Sequence, residues 1–273
     1  MNAHRIVITS VLLLVLGVVP LAALESVDHN HTSFNQVLQT YVINGQVDYE
    51  ALAKAPKLLR SYIDEMGSLS DDDLSSFTLN QKMVYWINLY NALTLDAVLQ
   101  NHPIQGQNSA FATNSPRQVE GFWTAIKWKT PAGRTTLNQI EFDQLRRFGK
   151  IDWLFAISNA TASGGYLLSE AYTDRQLVNQ LEQATTLWVR NPNNMKFDKK
   201  KQVLYVSEYL RSHRNNLKRK YYKRGDLLGR SQEENIMGHI FLTYSDDEEA
   251  KAIIRNGIFS LTYLPYDWAL NAR

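Results

Sequence analysis

The sequence predicts an α+β fold: a helix-rich single domain with a small antiparallel or mixed sheet around a central buried helix at about residues 79–100. Three observations carry this. The segment 79–100 is apolar nearly all round (Met83, Val84, Trp86, Ile87, Leu89, Leu93, Leu95, Val98, Leu99), the pattern of a helix covered on every side. Helix starts recur as Ser or Thr followed three residues later by Gln or Glu, a pairing that satisfies free amides reciprocally. The β-prone runs, by contrast, are short and few.

Taken in order, the paired starts are Ser33/Gln36, Thr78/Gln81, Thr136/Gln139, Thr173/Gln176 and Ser245/Glu248. Thr-Leu-Asn-Gln occurs at 78–81 and again at 136–139, but the sequences that follow differ, so these are two helix caps and not an internal repeat. His102-Pro103 ends the central helix, because the residue before a proline is driven out of the helical region. Residues 104–120, polar and rich in Ser and Asn, form the long surface loop. Strands are expected at Phe122–Lys129, turning through Pro131-Ala132-Gly133 into Arg134–Leu137, then at Trp153–Ser158, Gln202–Val206 and Ile258–Leu264. From Asp174 a one-sided stripe (Leu177, Val178, Leu181, Ala184, Trp188) marks a helix lying on the core.

The first residues have the order of a secretory signal: Arg5, an apolar run from Val11 to Val19, then Pro20, Ala22 and Ala23. The run is short of the ~20 apolar residues of a membrane span unless Thr9 and Ser10 are counted in. Cleavage is expected after Ala23, giving a signal peptide at 1–23, a flexible lead-in at 24–32 and one globular domain at 33–273. The expected product is exported, periplasmic or secreted, with no transmembrane span. Loss of residues 1–23 removes Arg5 alone among the charges and leaves 28 basic against 27 acidic residues, a net +1. That balance lacks the basic excess of a nucleic-acid binder. The chain contains no cysteine, which excludes both disulfides and a thiol enzyme.

Five blocks then occur in a telling order: Val47-Asp48-Tyr49; Tyr85 to Thr94, reading Tyr-Trp-Ile-Asn-Leu-Tyr-Asn-Ala-Leu-Thr; Leu137 to Glu141; Glu170-Ala171-Tyr172-Thr173; and Tyr266 to Asn271. Together they resemble the domain of unknown function 547 family. Members of that family typically carry a Cys-x4-Cys-Pro pattern after the strand near Ser158 and a His after the Ile-Glu pair. Here Asn159, Gly164, Gly165 and Phe142 stand at those places. A cysteine and a histidine are what a thiol nucleophile and its base require, and in an oxidising compartment two cysteines also suit a disulfide. The resemblance therefore implies a divergent member with a silenced site.

The candidate site residues follow. Asn88 and Asn91, three apart on a buried helix, share a face; they either orient a ligand or pin neighbouring loops. Glu141 and Asp267 sit among apolar neighbours, where burial of one would divide acid from base work, although Asp267 is also placed to cap backbone amides and Glu141 to pair with Arg146 or Arg147. Ser163, before Gly164-Gly165, lacks a nucleophile-elbow pattern and is expected in a tight loop lining a cleft with Asn159, Tyr172 and Trp268. His29 and His31 are expected in the solvated lead-in, and no metal-ligand spacing, phosphate loop or dinucleotide fingerprint occurs, so no metal and no cofactor are expected. Residues 211–224 concentrate Arg211, Arg214, Lys218, Arg219, Lys220, Lys223 and Arg224 around Tyr221 and Tyr222, with Lys199, Lys200 and Lys201 nearby in sequence. The partner such a face suits outside the cytoplasm is anionic lipid, cell-wall polymer or an acidic protein. These features favour a non-catalytic exported binding or scaffold protein; the alternative is a thiol-independent hydrolase or transferase using Glu141 or Asp267.

Overall fold

The computed structural model describes residues 27–227 and 229–273; the expected signal peptide, 1–23, lies outside them. In chain order the elements are α1 (Thr32–Tyr41), β1 (Val42–Ile43), β2 (Gln46–Val47), α2 (Tyr49–Lys54), α3 (Lys57–Ser68), α4 (Asp71–Ser76), α5 (Leu79–Leu99), β3 (Trp128–Thr130), β4 (Gly133–Thr135), α6 (Leu137–Gln139), α7 (Trp153–Ala156), α8 (Leu177–Arg190), β5 (Met195–Asp198), β6 (Val203–Ser207), α9 (Glu208–Tyr221), α10 (Gln232–Tyr244), α11 (Glu248–Arg255) and β7 (Ser260–Leu264). This is the helix-rich α+β architecture expected. The largest sheet has three strands in the order β5-β6-β7, antiparallel at Met195↔Val206 and parallel at Val203↔Ser260, hence mixed.

α5 is the axis of the molecule. Its start is the expected capping box, Thr78 with Gln81, and every residue from Met83 to Val98 is buried. The polar groups on this helix therefore need internal partners. Asp96 receives the Trp128 indole N–H at 2.9 Å and the Gln100 amide at 2.6 Å, with the Arg60 Nε at 3.3 Å. Thr94 donates to the Tyr90 carbonyl at 2.9 Å. Val37, Leu59, Trp153, Trp188 and Ile240, from α1, α3, α7, α8 and α10, join one continuous apolar core with it.

Several expectations need correction. Trp153–Ser158 is not a strand: residues 153–156 form α7. All four are buried, so no alternation was there to separate strand from helix. The β3–β4 hairpin forms as expected but is confined to 128–135, and Phe122 belongs to a turn before it. α1 begins at Thr32, so Ser33/Gln36 is not its box; Asp28 Oδ2 accepts from the Thr32 amide at 2.8 Å instead. The Thr173 and Ser245 boxes also fail, α8 starting after Gln176 and α11 being capped by Asp247 through the Ala250 amide. Ser70/Asp73 and Ser231/Glu234 are genuine boxes not anticipated. Val178 is 66% exposed, one position round α8 from the buried Leu177.

Residues 27–31 are not a solvated lead-in. His31 is buried and its Nδ1 lies 2.8 Å from the Tyr62 hydroxyl, while the His29 ring meets Phe77 edge-on. Among the described residues no helix is long and apolar enough to cross a membrane.

Candidate functional site

Asn88 and Asn91 face the chain segments that pass α5. Asn88 donates to the Tyr172 carbonyl at 2.8 Å and accepts from the Tyr172 amide at 2.9 Å, a closed pair of bonds with one residue. Asn91 donates to the Ala156 carbonyl at 3.0 Å and accepts from the Ser158 amide at 2.8 Å. Both side chains are thus bound at both ends to backbone. They pin the end of α7 and the approach to α8, and of the two readings left open the structural one describes them. Tyr172 itself is buried, its hydroxyl without a partner in the core.

The pinned segment leads into a loop stitched to the chain's last residues. Asn159 donates to the Tyr266 hydroxyl at 2.8 Å, and Thr161 Oγ1 lies 2.6 Å from both the Asn159 Oδ1 and the Tyr266 hydroxyl. Ser163 Oγ accepts from the Asp267 amide at 3.0 Å, and its own amide donates to the Asp267 carbonyl at 3.3 Å. Ser163 is therefore a buried anchor, not a nucleophile presented to solvent. Asp267 was expected to be drawn inward; it is exposed, and its Oδ1 caps the Ala269 amide at 2.9 Å. Trp268 packs at a tilt against Tyr266 and edge-on against Trp123, and lies under the Arg117 guanidinium at 4.0 Å.

Glu141 lies on a π-helical turn, Ile140–Gln144, which allows Ile140 and Leu145, five apart, both to face the core. Burial pushes the Glu141 carboxyl above its ordinary range, opposed by Arg146 at 3.6 Å. Phe142 turns outward, 46% exposed, beneath the Arg146 guanidinium at 3.8 Å. With Glu141 inside and Asp267 on the surface, the two carboxylates do not share a buried site, so the division of acid and base work has no geometry here. His213 packs edge-on to Tyr209, and burial pushes its imidazole down to about 4.

α9 divides the basic residues between its faces. At about 100° per residue, Arg211, Arg214, Lys218 and Arg219 fall on one half and the buried Tyr209, Leu210, Leu217 and Tyr221 on the other. Lys220 points the second way, paired with Asp152 and within 3.3 Å of the Tyr244 hydroxyl. Lys199 is also consumed, held by Asp247 at 3.0 Å and Glu249 at 2.6 Å, so the 199–201 run does not simply extend the basic face. Lys223, beyond the helix, is tied through its backbone to Asn235. Between α9 and the turn before α7 is a cleft of about 110 Å³ lined by Arg146, Gly149, Lys150, Ile151, Trp153, Asn215, Asn216 and Arg219. Arg219 reaches the Gly149 carbonyl at 3.1 Å and ties its two walls together. The lining has three cations, two amides and no carboxylate. Sequence reading found Arg219 but missed Arg146 and Lys150 as its companions, because they are some seventy residues away along the chain.

Residues 74–189, from α4 to α8, match the model of a protein family described as "Protein of unknown function, DUF547". Over this segment the chain is similar to that family. No curated protein and no solved structure matches the chain. Two blocks of the resemblance, Val47-Asp48-Tyr49 and Tyr266 to Asn271, lie outside the matched segment and meet in space: the Val47 amide donates to the Asn271 carbonyl at 2.9 Å, and the Tyr49 hydroxyl to the Asn271 side chain at 2.8 Å. Within the matched segment, positions 159 and 164 face each other, since a Cβ added at Gly164 would lie 2.1 Å from the Asn159 Oδ1. Where the family pattern has two cysteines, this chain has the Asn159, Thr161 and Tyr266 hydrogen bonds. A Cβ at Gly165 would stand 2.2 Å from the Ile157 carbonyl oxygen, so the family's proline does not fit this backbone and the loop runs closer to α7 than a Cys-Pro loop could.

Proposed function

We propose that the chain is an exported, non-catalytic binding protein whose basic α9 face holds an anionic partner of the cell envelope, anionic lipid before cell-wall polymer or an acidic protein. The observation that carries this is the cleft in which Lys150 and Arg219 converge with Asn215 and Asn216, beside Arg146, whose charge is shared with Glu141 at 3.6 Å behind the lining, and no carboxylate contributes to the wall. Lys150 forms no ion pair among the described residues, so its charge is available to a partner. An arginine presents a planar fork suited to phosphate oxygens, and the amides supply neutral donors beside it. Export rests on the order of Arg5, the apolar run and Ala22-Ala23. The enzymatic alternative lacks its second buried carboxylate, Asp267 being exposed.

Vesicles containing phosphatidylglycerol should retain the protein at low salt while pure phosphatidylcholine vesicles do not. Retention should fall steeply as ionic strength brings the Debye length below about 10 Å. Absence of retention at low salt, on vesicles and on isolated cell wall alike, would end the proposal.

A further inference from the structure

A second cleft, chemically unlike the first, opens where the Gly164-Gly165 loop meets the β1–β2 turn, the turn after α8 and the last residues of the chain. We propose that it is a binding site for a neutral carbohydrate. Its volume is about 190 Å³, and none of the residues lining it carries a charge. Six of the polar side chains are amides, Asn44, Gln46, Asn191, Asn193, Asn194 and Asn271, beside the Thr161 and Tyr166 hydroxyls. Asn271 is bonded at both ends, to Tyr49 and to Gly45 and Ser158, the Asn191 oxygen accepts from the Asn193 amide and the Gln46 nitrogen donates to the Ala272 carbonyl, so the groups left for a ligand are chiefly those of Asn44, Asn193 and Asn194. An amide carries a donor and an acceptor on one rigid plane, and a hydroxyl is likewise both, so a ring of amides matches a polyol where charged groups would select an ion.

Asn194 makes the cleft more than a polar hollow. It is 2% exposed, its Nδ2 donates to the Trp188 carbonyl at 3.3 Å, and its Oδ1 has no hydrogen-bond partner. A buried acceptor of this kind calls for a donor, which a water or the hydroxyl of a ligand in the cleft supplies. Asn44 and Asn193, on opposite turns, are exposed and their side chains form no hydrogen bond among the described residues, so their amides are also available. Tyr166 lines the same cleft, its ring held against Gly45, where an added Cβ would come within 3.1 Å of it. Half-buried and fixed, it offers the apolar surface against which the C–H face of a sugar ring packs.

The test is titration of the isotope-labelled mature protein with glucose and with N-acetylglucosamine, read by amide chemical shifts. Saturable shifts are expected at Gly164, Gly165 and Asn191 to Asn194, undiminished at high salt, which separates this site from the basic cleft. Asn193→Ala, an exposed substitution that leaves the core alone, should weaken binding at least ten-fold; Asn194→Leu should abolish it in protein that still gives a folded spectrum. The proposal is overturned if neither sugar shifts these resonances, if the shifts vanish with salt, or if Asn193→Ala binds as the native chain does. It is equally overturned if an uncharged dipeptide amide produces the same shifts and the sugars do not, which would make the cleft a peptide site. Because this cleft shares no residue with the basic one, either result leaves the anionic-partner proposal standing or falling on its own.

Discussion

Asn91 has both ends of its amide committed, to the Ala156 carbonyl and the Ser158 amide, at a position 1% exposed. Asn91→Leu keeps the branching and the number of heavy atoms and leaves both backbone groups buried and unpaired. Loss of each partner costs about 1–3 kcal/mol, so chemical denaturation should show the variant at least ~1 kcal/mol less stable; an unchanged midpoint would mean that the loop finds other partners. At the same scale, burial pushes His31 and His213 down to about 4, below their ordinary value of 6.5. Between those limits the unfolded chain binds protons that the folded chain does not, so stability falls as pH drops from 6.5 towards 4. Stability measured across this window should lose slope by about one bound proton for each histidine replaced with Gln; an unaltered slope would contradict the assignment. Sequence alone identified the two asparagines as a pair but left open which of two roles they had, because the difference lies in residues 65 to 84 positions away.

Among elements, α5 and the β3–β4 hairpin were legible because each depends on local pattern: an apolar helix closed by Thr78/Gln81, and a turn through Gly133. α7 was not, since a short fully buried segment carries no period. Three of the five expected capping boxes failed for a related reason: Ser-x-x-Gln and its relatives occur by chance, and tertiary packing decides which helix start is used. The boxes that do form should be separable by mutation, Ser231→Ala costing α10 about 1 kcal/mol and Ser245→Ala much less. The Gly165 loop gives a sharper contrast. Gly165→Ala must push a methyl group against the Ile157 and Leu154 carbonyls, at 2.2 and 2.8 Å before relaxation, and should cost ~1–3 kcal/mol by thermal melting. A neutral outcome would show that the loop can retreat to the spacing a Cys-Pro sequence needs.

For the whole molecule, the class of fold follows from composition and pattern, whereas the site does not. Arg219 was visible in a charged run, but the cleft exists only because the turn at Arg146 to Lys150 docks against α9. Lys220 and Lys199, equally conspicuous in sequence, are spent on Asp152 and on Asp247 with Glu249. The charge run thus overstated the number of free cations and missed two of the residues that converge. Terminal sequencing of the protein recovered from a secreting host should begin at Leu24; an intact Met1 on membrane-bound protein would refute export by cleavage. The central claim is that the anionic partner is held by this cleft and not by net charge. It is tested most directly by vesicle co-sedimentation of two charge-matched variants, Lys150→Glu/Arg219→Glu in the cleft and Lys200→Glu/Lys201→Glu on the β5–β6 turn. The cleft variant should lose at least ten-fold in affinity for phosphatidylglycerol vesicles while the turn variant binds nearly as the native chain does; an equal loss in both, or none in the first, would contradict it.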